Sequence, residues 1–406
     1  MVISGRQCAT GFFILSFLLV PFLSFYEVKA LINGTLTSQS AALTPMYIKI
    51  LKDILQLTIL LVSSFFIMKR KKISIVALFL FLIVFFSLTL SLIYSSGNDV
   101  LILASGFRWL VPFFLISVLT YFRFNLMNKT VFKFVILILS IHFFVQLFEF
   151  FWGGHWYGSF LGRFSLRNPG IFLIPGTGAM FTLGCYLILR DHIVGLKKNI
   201  ILLFTVWVSV ALTASGSAVI CLFMISIYRL LRAFFNSFLS VLFLSVCFLC
   251  SLPFLISLSV LLGRGDSYVQ TSGGERVEIF LNAVDSASVV SDKFGIGTNT
   301  GVVISNSLDM SSDALIVDSM YTSMLVNLGW LGFTLYLILC LMVFFISLFN
   351  QNDKHIEFSM VLVIVSFTSI WLEAFPFNLI CIAIISEILT YSKSGTHENM
   401  YINRTS

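Results

Sequence analysis

Apolar residues run along most of this chain in long unbroken stretches, and polar residues gather in the gaps between them. A bilayer core of about 30 Å is crossed by an α-helix of about 20 apolar residues. On that measure the runs predict about twelve spans (11–13), near 11–25, 49–68, 73–94, 100–121, 131–150, 170–189, 199–213, 217–231, 234–262, 320–349, 358–372 and 376–391. Only Ser95–Asp99 separates the third from the fourth. The ninth is long and contains Pro253, which predicts a kink or tilt. A transmembrane β-barrel is excluded, because its strands alternate in hydrophobicity over about 10 residues whereas these runs are continuous.

One gap is unlike the others. Gly263 to Asp318 spans 56 residues and holds 11 of the chain's 43 Asp, Glu, Lys and Arg. Groups able to do chemistry in water are gathered there. The chain thus divides into residues 1–262 (nine helices and a smaller polar segment, 151–169), the large loop 263–318, and residues 319–406 (three helices and a polar tail). The expected fold class is an all-α polytopic integral membrane protein with a large outer loop between helices 9 and 10.

Composition agrees: 58% of the 406 residues are hydrophobic and 11% are charged, where a soluble domain carries about 25% charged residues. The net charge of +7 does not point to nucleic acid, because its source is an asymmetry across the membrane. With the N-terminus in the cytoplasm, 16 of the 25 basic residues lie inside, among them Lys69-Arg70-Lys71-Lys72, Arg190, Arg229, Arg232 and Lys354. The opposite segments hold six: Lys29, Arg163, Arg167, Arg264, Arg276 and Lys293. Short basic loops stay inside, so both termini are expected in the cytoplasm and Gly263–Asp318 outside. Residues 1–30 could mimic a cleaved signal, but a retained first helix is the expectation. The seven cysteines lie in or beside apolar runs with no paired CxxC motifs, which argues against a disulfide or zinc framework.

Within the large loop, Ser272-Gly-Gly-Glu275 has capping-box spacing, and Val277, Phe280, Leu281 and Val284 recur at helical intervals. They predict a surface helix of about three turns with Arg276 near its start. Gly295-Ile-Gly297 and Gly301 then break the chain. A second stretch places Val317, Met320, Tyr321, Met324 and Leu328 on one side, after Asp318 and before Gly329-Trp-Leu-Gly332. In the smaller segment, Arg163 and Arg167 precede Asn168-Pro-Gly170. Pro175-Gly-Thr-Gly178 then opens the sixth span, where it is expected to loosen the helix.

Arginine suits bidentate capture of phosphate oxygens and keeps its charge when partly desolvated. Arg276, Arg163, Arg167, Arg264 and Arg108 (near the outer end of the fourth span) are therefore candidates for holding a phosphorylated lipid; the alternative is pairing with nearby carboxylates or headgroups. Asp318 is a candidate base or a helix N-cap. Asp309, Asp313 and Asp318 match no metal-ligand spacing, and no phosphate-loop or dinucleotide fingerprint occurs.

The order of these parts resembles the O-antigen polymerase (Wzy-type) and ligase superfamily of bacterial envelopes: Arg163 and Arg167 before Asn-Pro-Gly, Arg276 in a large loop, Phe294-Gly-Ile-Gly-Thr-Asn299, Asp318-Ser-Met-Tyr321 and Gly329-Trp-Leu-Gly332. The resemblance implies an inner-membrane glycosyltransferase that uses an undecaprenyl-diphosphate-linked oligosaccharide and needs no metal or cofactor. Asp318 and Arg276 would be catalytic; Arg163, Arg167, Arg264 and Arg108 would bind the diphosphate. Membrane lipids and a polysaccharide chain-length regulator are the expected partners. Ligases of this superfamily usually show His-Asn where Asp318-Ser319 stands, which favours the polymerase. Ser215-Gly216-Ser217 departs from the Ser-Arg of many relatives and leaves one phosphate contact without a residue. The rival of another class is a lipid-linked-oligosaccharide flippase; against it stand the lack of a visible internal repeat and the scarcity of ionisable groups at helix centres.

Overall fold

The structure, a computed structural model, describes residues 75–95, 99–122, 129–152, 168, 170–172, 175–190, 196–245, 278–298 and 319–390, with scattered helical positions at 10–19 and 51–61. Among the described residues the long elements are all helices: α1 (Ile75–Tyr94), α2 (Val100–Phe122), α3 (Lys129–Trp152), α4 (Pro175–Leu189), α5 (Leu196–Thr213), α6 (Gly216–Arg232), α7 (Met320–Phe349), α8 (Asp353–Thr368) and α9 (Phe377–Thr390). No strand occurs among them. Among the described residues three stretches are long and apolar enough to cross a membrane: Val100–Tyr121, Thr130–Phe151 and Met320–Phe349. Phe144, Phe204 and Phe349 stand outward and exposed. So much aromatic surface is a liability in water and the natural outer face of a helical protein in lipid.

The chain forms two compact units. The first comprises Met1–Phe81, Val111–Ile220 and Ala374–Ser406; the second, Leu82–Leu110 and Cys221–Glu373.

In the first unit, α4 packs against α3, α5 and α9. Its residues Ala179–Leu189 are all buried, as expected of a helix that is apolar on every side. The approach to α9 is close: a Cβ at Gly184 would stand 2.6 Å from Ile380 Cδ1. The expected loosening at Pro175–Gly178 is absent, because this run is the regular first turn of α4. The irregular chain lies earlier, at Asn168 and Gly170–Phe172, and these residues are buried. The Asn168 amide donates to the Leu212 carbonyl at 2.8 Å, near the end of α5.

In the second unit, α7 and α8 form an antiparallel pair joined through Asn350–Asn352. Trp371 Nε1 donates to the Tyr336 hydroxyl at 2.8 Å, and that hydroxyl pairs with Ser366 Oγ at 2.5 Å. Three expectations need correction here. The eleventh span was drawn to residue 372, yet α8 stops at Thr368. Ile370, Trp371 and Leu372 continue as buried, non-helical chain. Next, Met320–Leu328 does not have one apolar and one open side: every residue is buried, and it forms one element with the tenth span, interrupted at Gly329 (φ 68, ψ −165). Last, the helix N-cap is Ser319, whose Oγ accepts the Thr322 amide at 3.1 Å, so the capping role considered for Asp318 belongs to its neighbour.

Candidate functional site

Of the six candidate site residues, the structure describes Arg108, half-buried in α2. Arg163, Arg167, Arg264, Arg276 and Asp318 lie outside the described residues. What the structure places is the chain around them.

The large loop is described again from Glu278. A helix runs through residues 278–286, where the apolar spacing predicts one. Its buried side is not the predicted stripe, however. Ala283 is buried, Phe280 and Val284 are half-buried, and Leu281 is 53% exposed. The chain beyond it runs beside the break in α7. Trp330 N donates to Ser288 O and Leu331 N to Val289 O, both at 3.0 Å. Gly329 is required there: its φ is +68, and a Cβ would sit 2.5 Å from the Ser288 carbonyl oxygen.

The turn Phe294–Thr298 is then held between the first half of α2 and the start of α7. Phe294 is fully buried against Gly106, where an added Cβ would lie 2.7 Å from the phenyl ring. Ser95 Oγ accepts the Phe294 amide at 3.2 Å, and Ser105 Oγ donates to the Gly295 carbonyl at 3.1 Å. From α7, Asn327 Oδ1 accepts the amides of Gly295 and Gly297, at 3.0 and 3.1 Å. Ser323 Oγ donates to the Gly297 carbonyl, and Ser291 Oγ to the Val326 carbonyl, each at 2.5 Å. A glycine turn with free amides could cradle a phosphate. Here two of those amides are consumed by Asn327, so the turn acts as an anchor.

A second polar cluster, in the first unit, went unnoticed in the sequence reading. His142, Gln146 and Glu149 occupy one face of α3 and are 0%, 0% and 5% exposed. Glu149 Oε2 accepts the Gly170 amide at 2.9 Å. Gln146 Nε2 donates to the carbonyls of Asn168 and Ser209, both at 3.1 Å, and its Oε1 accepts from Ser209 Oγ. His142 Nδ1 is 3.4 Å from the Ile171 amide, and its ring meets Phe172 and Phe181 edge-on. The cluster fixes the turn that follows Arg163 and Arg167. Its signal was present in the sequence: three polar side chains at i, i+4 and i+7 within an otherwise apolar span.

A third group joins the end of α6 to the start of α8 in the second unit. Arg229 Nε meets Glu357 Oε1 at 2.9 Å and Arg232 Nε meets Asp353 Oδ1 at 3.1 Å, while the Tyr228 hydroxyl donates to the same Asp353 oxygen at 2.8 Å. It is a structural lock rather than a reaction centre, since each carboxylate is engaged by a cation.

The chain matches no family model, and no curated protein matches it.

Proposed function

We propose that the chain is a repeat-unit polymerase of bacterial surface polysaccharide, with about twelve spans and its large loop on the periplasmic face of the inner membrane. A hydroxyl of one undecaprenyl-diphosphate-linked oligosaccharide attacks the anomeric carbon of a second lipid-linked glycan. The new glycosidic bond forms as the carbon–oxygen bond to the diphosphate breaks, with inversion. Arg276, with Arg264 and Arg108, holds the departing diphosphate and offsets its developing charge. Asp318 accepts the hydroxyl proton. Arg163 and Arg167 of the smaller outer segment are carried over from the sequence as further contacts to the same diphosphate, for the bidentate chemistry of arginine.

The observation that carries this reading is the anchored turn Phe294–Thr298. The chain that follows Arg276 does not trail away as a solvated loop but is built into the compact unit that also holds Arg108 and the start of α7, directly after Asp318. That Ser319 caps α7 further supports an Asp318 carboxylate with another task.

One observation favours a transporter. Buried ionisable groups inside apolar helices are the usual marks of proton-coupled transport, and His142 and Glu149 are such groups. Their hydrogen bonds to the backbone at Gly170 and Ile171 supply a structural reason for both, which leaves the polymerase the better-supported reading.

Deletion of the chain in its host separates the roles through the surface glycan. Loss of a polymerase leaves lipid A–core capped with a single repeat, which is the expected outcome where the glycan is O-antigen. Loss of a ligase leaves bare core with polymer accumulating on the carrier lipid. Loss of a flippase leaves bare core with single units on the cytoplasmic face. Either bare-core result overturns the proposal.

A further inference from the structure

Resting on that reading, we infer that Asn327 is a positioning residue of the transfer reaction, holding the outer loop at the catalytic site through the Gly295 and Gly297 amides. Three features single it out from ordinary packing. It is fully buried, one side-chain oxygen serves two amides of a segment 30 or more residues away, and its Nδ2 donates to Ser323 Oγ at 3.2 Å, which itself holds the Gly297 carbonyl.

The glycines are matched to this grip. Gly295 has φ +94 and touches the Ile102 carbonyl where a Cβ would be, and a Cβ at Gly297 would stand 2.8 Å from Asn327 Nδ2. Neither glycine has room for a side chain in this seat, and the seated turn fixes the chain that precedes it. Upstream, Ser288 and Val289, just past the helix that runs through 278–286, are tied to Trp330 and Leu331. Downstream, the chain leads to Asp318, and Ser319 opens the same α7 that carries Asn327. One helix thus presents the candidate base at its start and the loop's anchor two turns on. A small displacement of groups aligned for in-line displacement lowers turnover more than it lowers substrate binding.

The test uses the full chain in proteoliposomes, given the lipid-linked repeat unit that accumulates in the deletion host. Asn327→Leu removes the acceptor at similar volume; Asn327→Asp keeps it. Turnover of Asn327→Leu should fall at least about tenfold with KM changed less than about threefold, and Asn327→Asp should recover much of the loss. Hydrogen exchange should show the Gly295 and Gly297 amides losing protection in Asn327→Leu and keeping it in Asn327→Asp, with α7 and α8 unchanged in both. Normal turnover of Asn327→Leu despite exposed amides would overturn the inference, as would loss of protection spreading through α7. If the wild-type chain makes no polymer, the polymerase reading falls instead, and the exchange data still report whether Asn327 holds the turn.

Discussion

The Glu149 carboxylate holds the Gly170 amide at 2.9 Å, a single hydrogen bond that ties a buried turn to an apolar helix. The turn has no helical or sheet partner for that N–H, and an unpaired buried amide costs about 1–3 kcal/mol. Glu149→Leu should therefore destabilise the protein in detergent by that amount. Glu149→Gln, which keeps an oxygen for the amide, should cost clearly less. Thermal unfolding of both variants checks the order. Equal losses would mean that Glu149 acts through bulk or charge and not through Gly170.

The same turn sets a contrast between two glycines. Gly170 has φ +67, and a Cβ there would lie 2.5 Å from His142 Nδ1 and 2.9 Å from Gln146 Cγ. Gly176, in the first turn of α4, has nothing within 4 Å of its Cβ position. Gly170→Ala should cost about 2–4 kcal/mol from combined backbone strain and overpacking. Gly176→Ala should be neutral or stabilising by up to about 1 kcal/mol. Melting temperatures of the purified variants decide it.

These two positions also show what could be read in advance. The apolar runs located α1 to α9, because a helix in lipid must satisfy its own backbone and needs an apolar surface. They misplaced the end of α8, since Ile370, Trp371 and Leu372 are as apolar in a buried irregular segment as in a helix. The stripe drawn over Met320–Leu328 failed for a related reason. Thr322, Ser323 and Asn327, which lie off that apolar side, bind Ser319 and the turn at Gly295–Gly297. Periodicity finds polar positions and does not say whether water or protein backbone answers them. The His142, Gln146 and Glu149 face was legible in the same pattern.

The two arginines at the end of α6 should differ in their cost of removal. Arg229 pairs with Glu357, whose side chain is 0% exposed, whereas Arg232 pairs with Asp353, one-third exposed and also held by Tyr228. Arg229→Ala takes the cation from a buried carboxylate and should cost about 2–4 kcal/mol, toward the lower side for a buried pair because Arg229 itself is partly exposed. Arg232→Ala should cost about 0–1 kcal/mol. Equal losses would show that burial of the acid does not govern the pair.

If Arg276 grips the diphosphate through its planar fork, Arg276→Lys should impair polymer formation nearly as much as Arg276→Ala, because an ammonium cannot reproduce bidentate contact. The check is glycan chain length in the deletion host complemented with each variant at matched protein levels. Full-length polymer from Arg276→Lys would reduce Arg276 to a source of diffuse charge.

Topology can be tested through a contact that does not depend on which side is which. Arg232 touches Asp353, so the end of α6 and the start of α8 lie at one face of the membrane. Reporters fused after Phe235 and after Gln351 must then agree with each other. In the proposed topology, drawn from the excess of Lys and Arg in the short loops, that face is the cytoplasm, so a reporter active only outside should be silent at both, and silent after Lys72. The part of α7 beyond its break at Gly329, Trp330–Phe349, is about 30 Å long and crosses once between the large loop and Gln351. A reporter after Asn299 should therefore be active. Disagreement between Phe235 and Gln351 would break the contact itself. Agreement with both active and Asn299 silent would keep the contact but turn the protein over, placing the large loop in the cytoplasm, away from the face where the proposed transfer must occur.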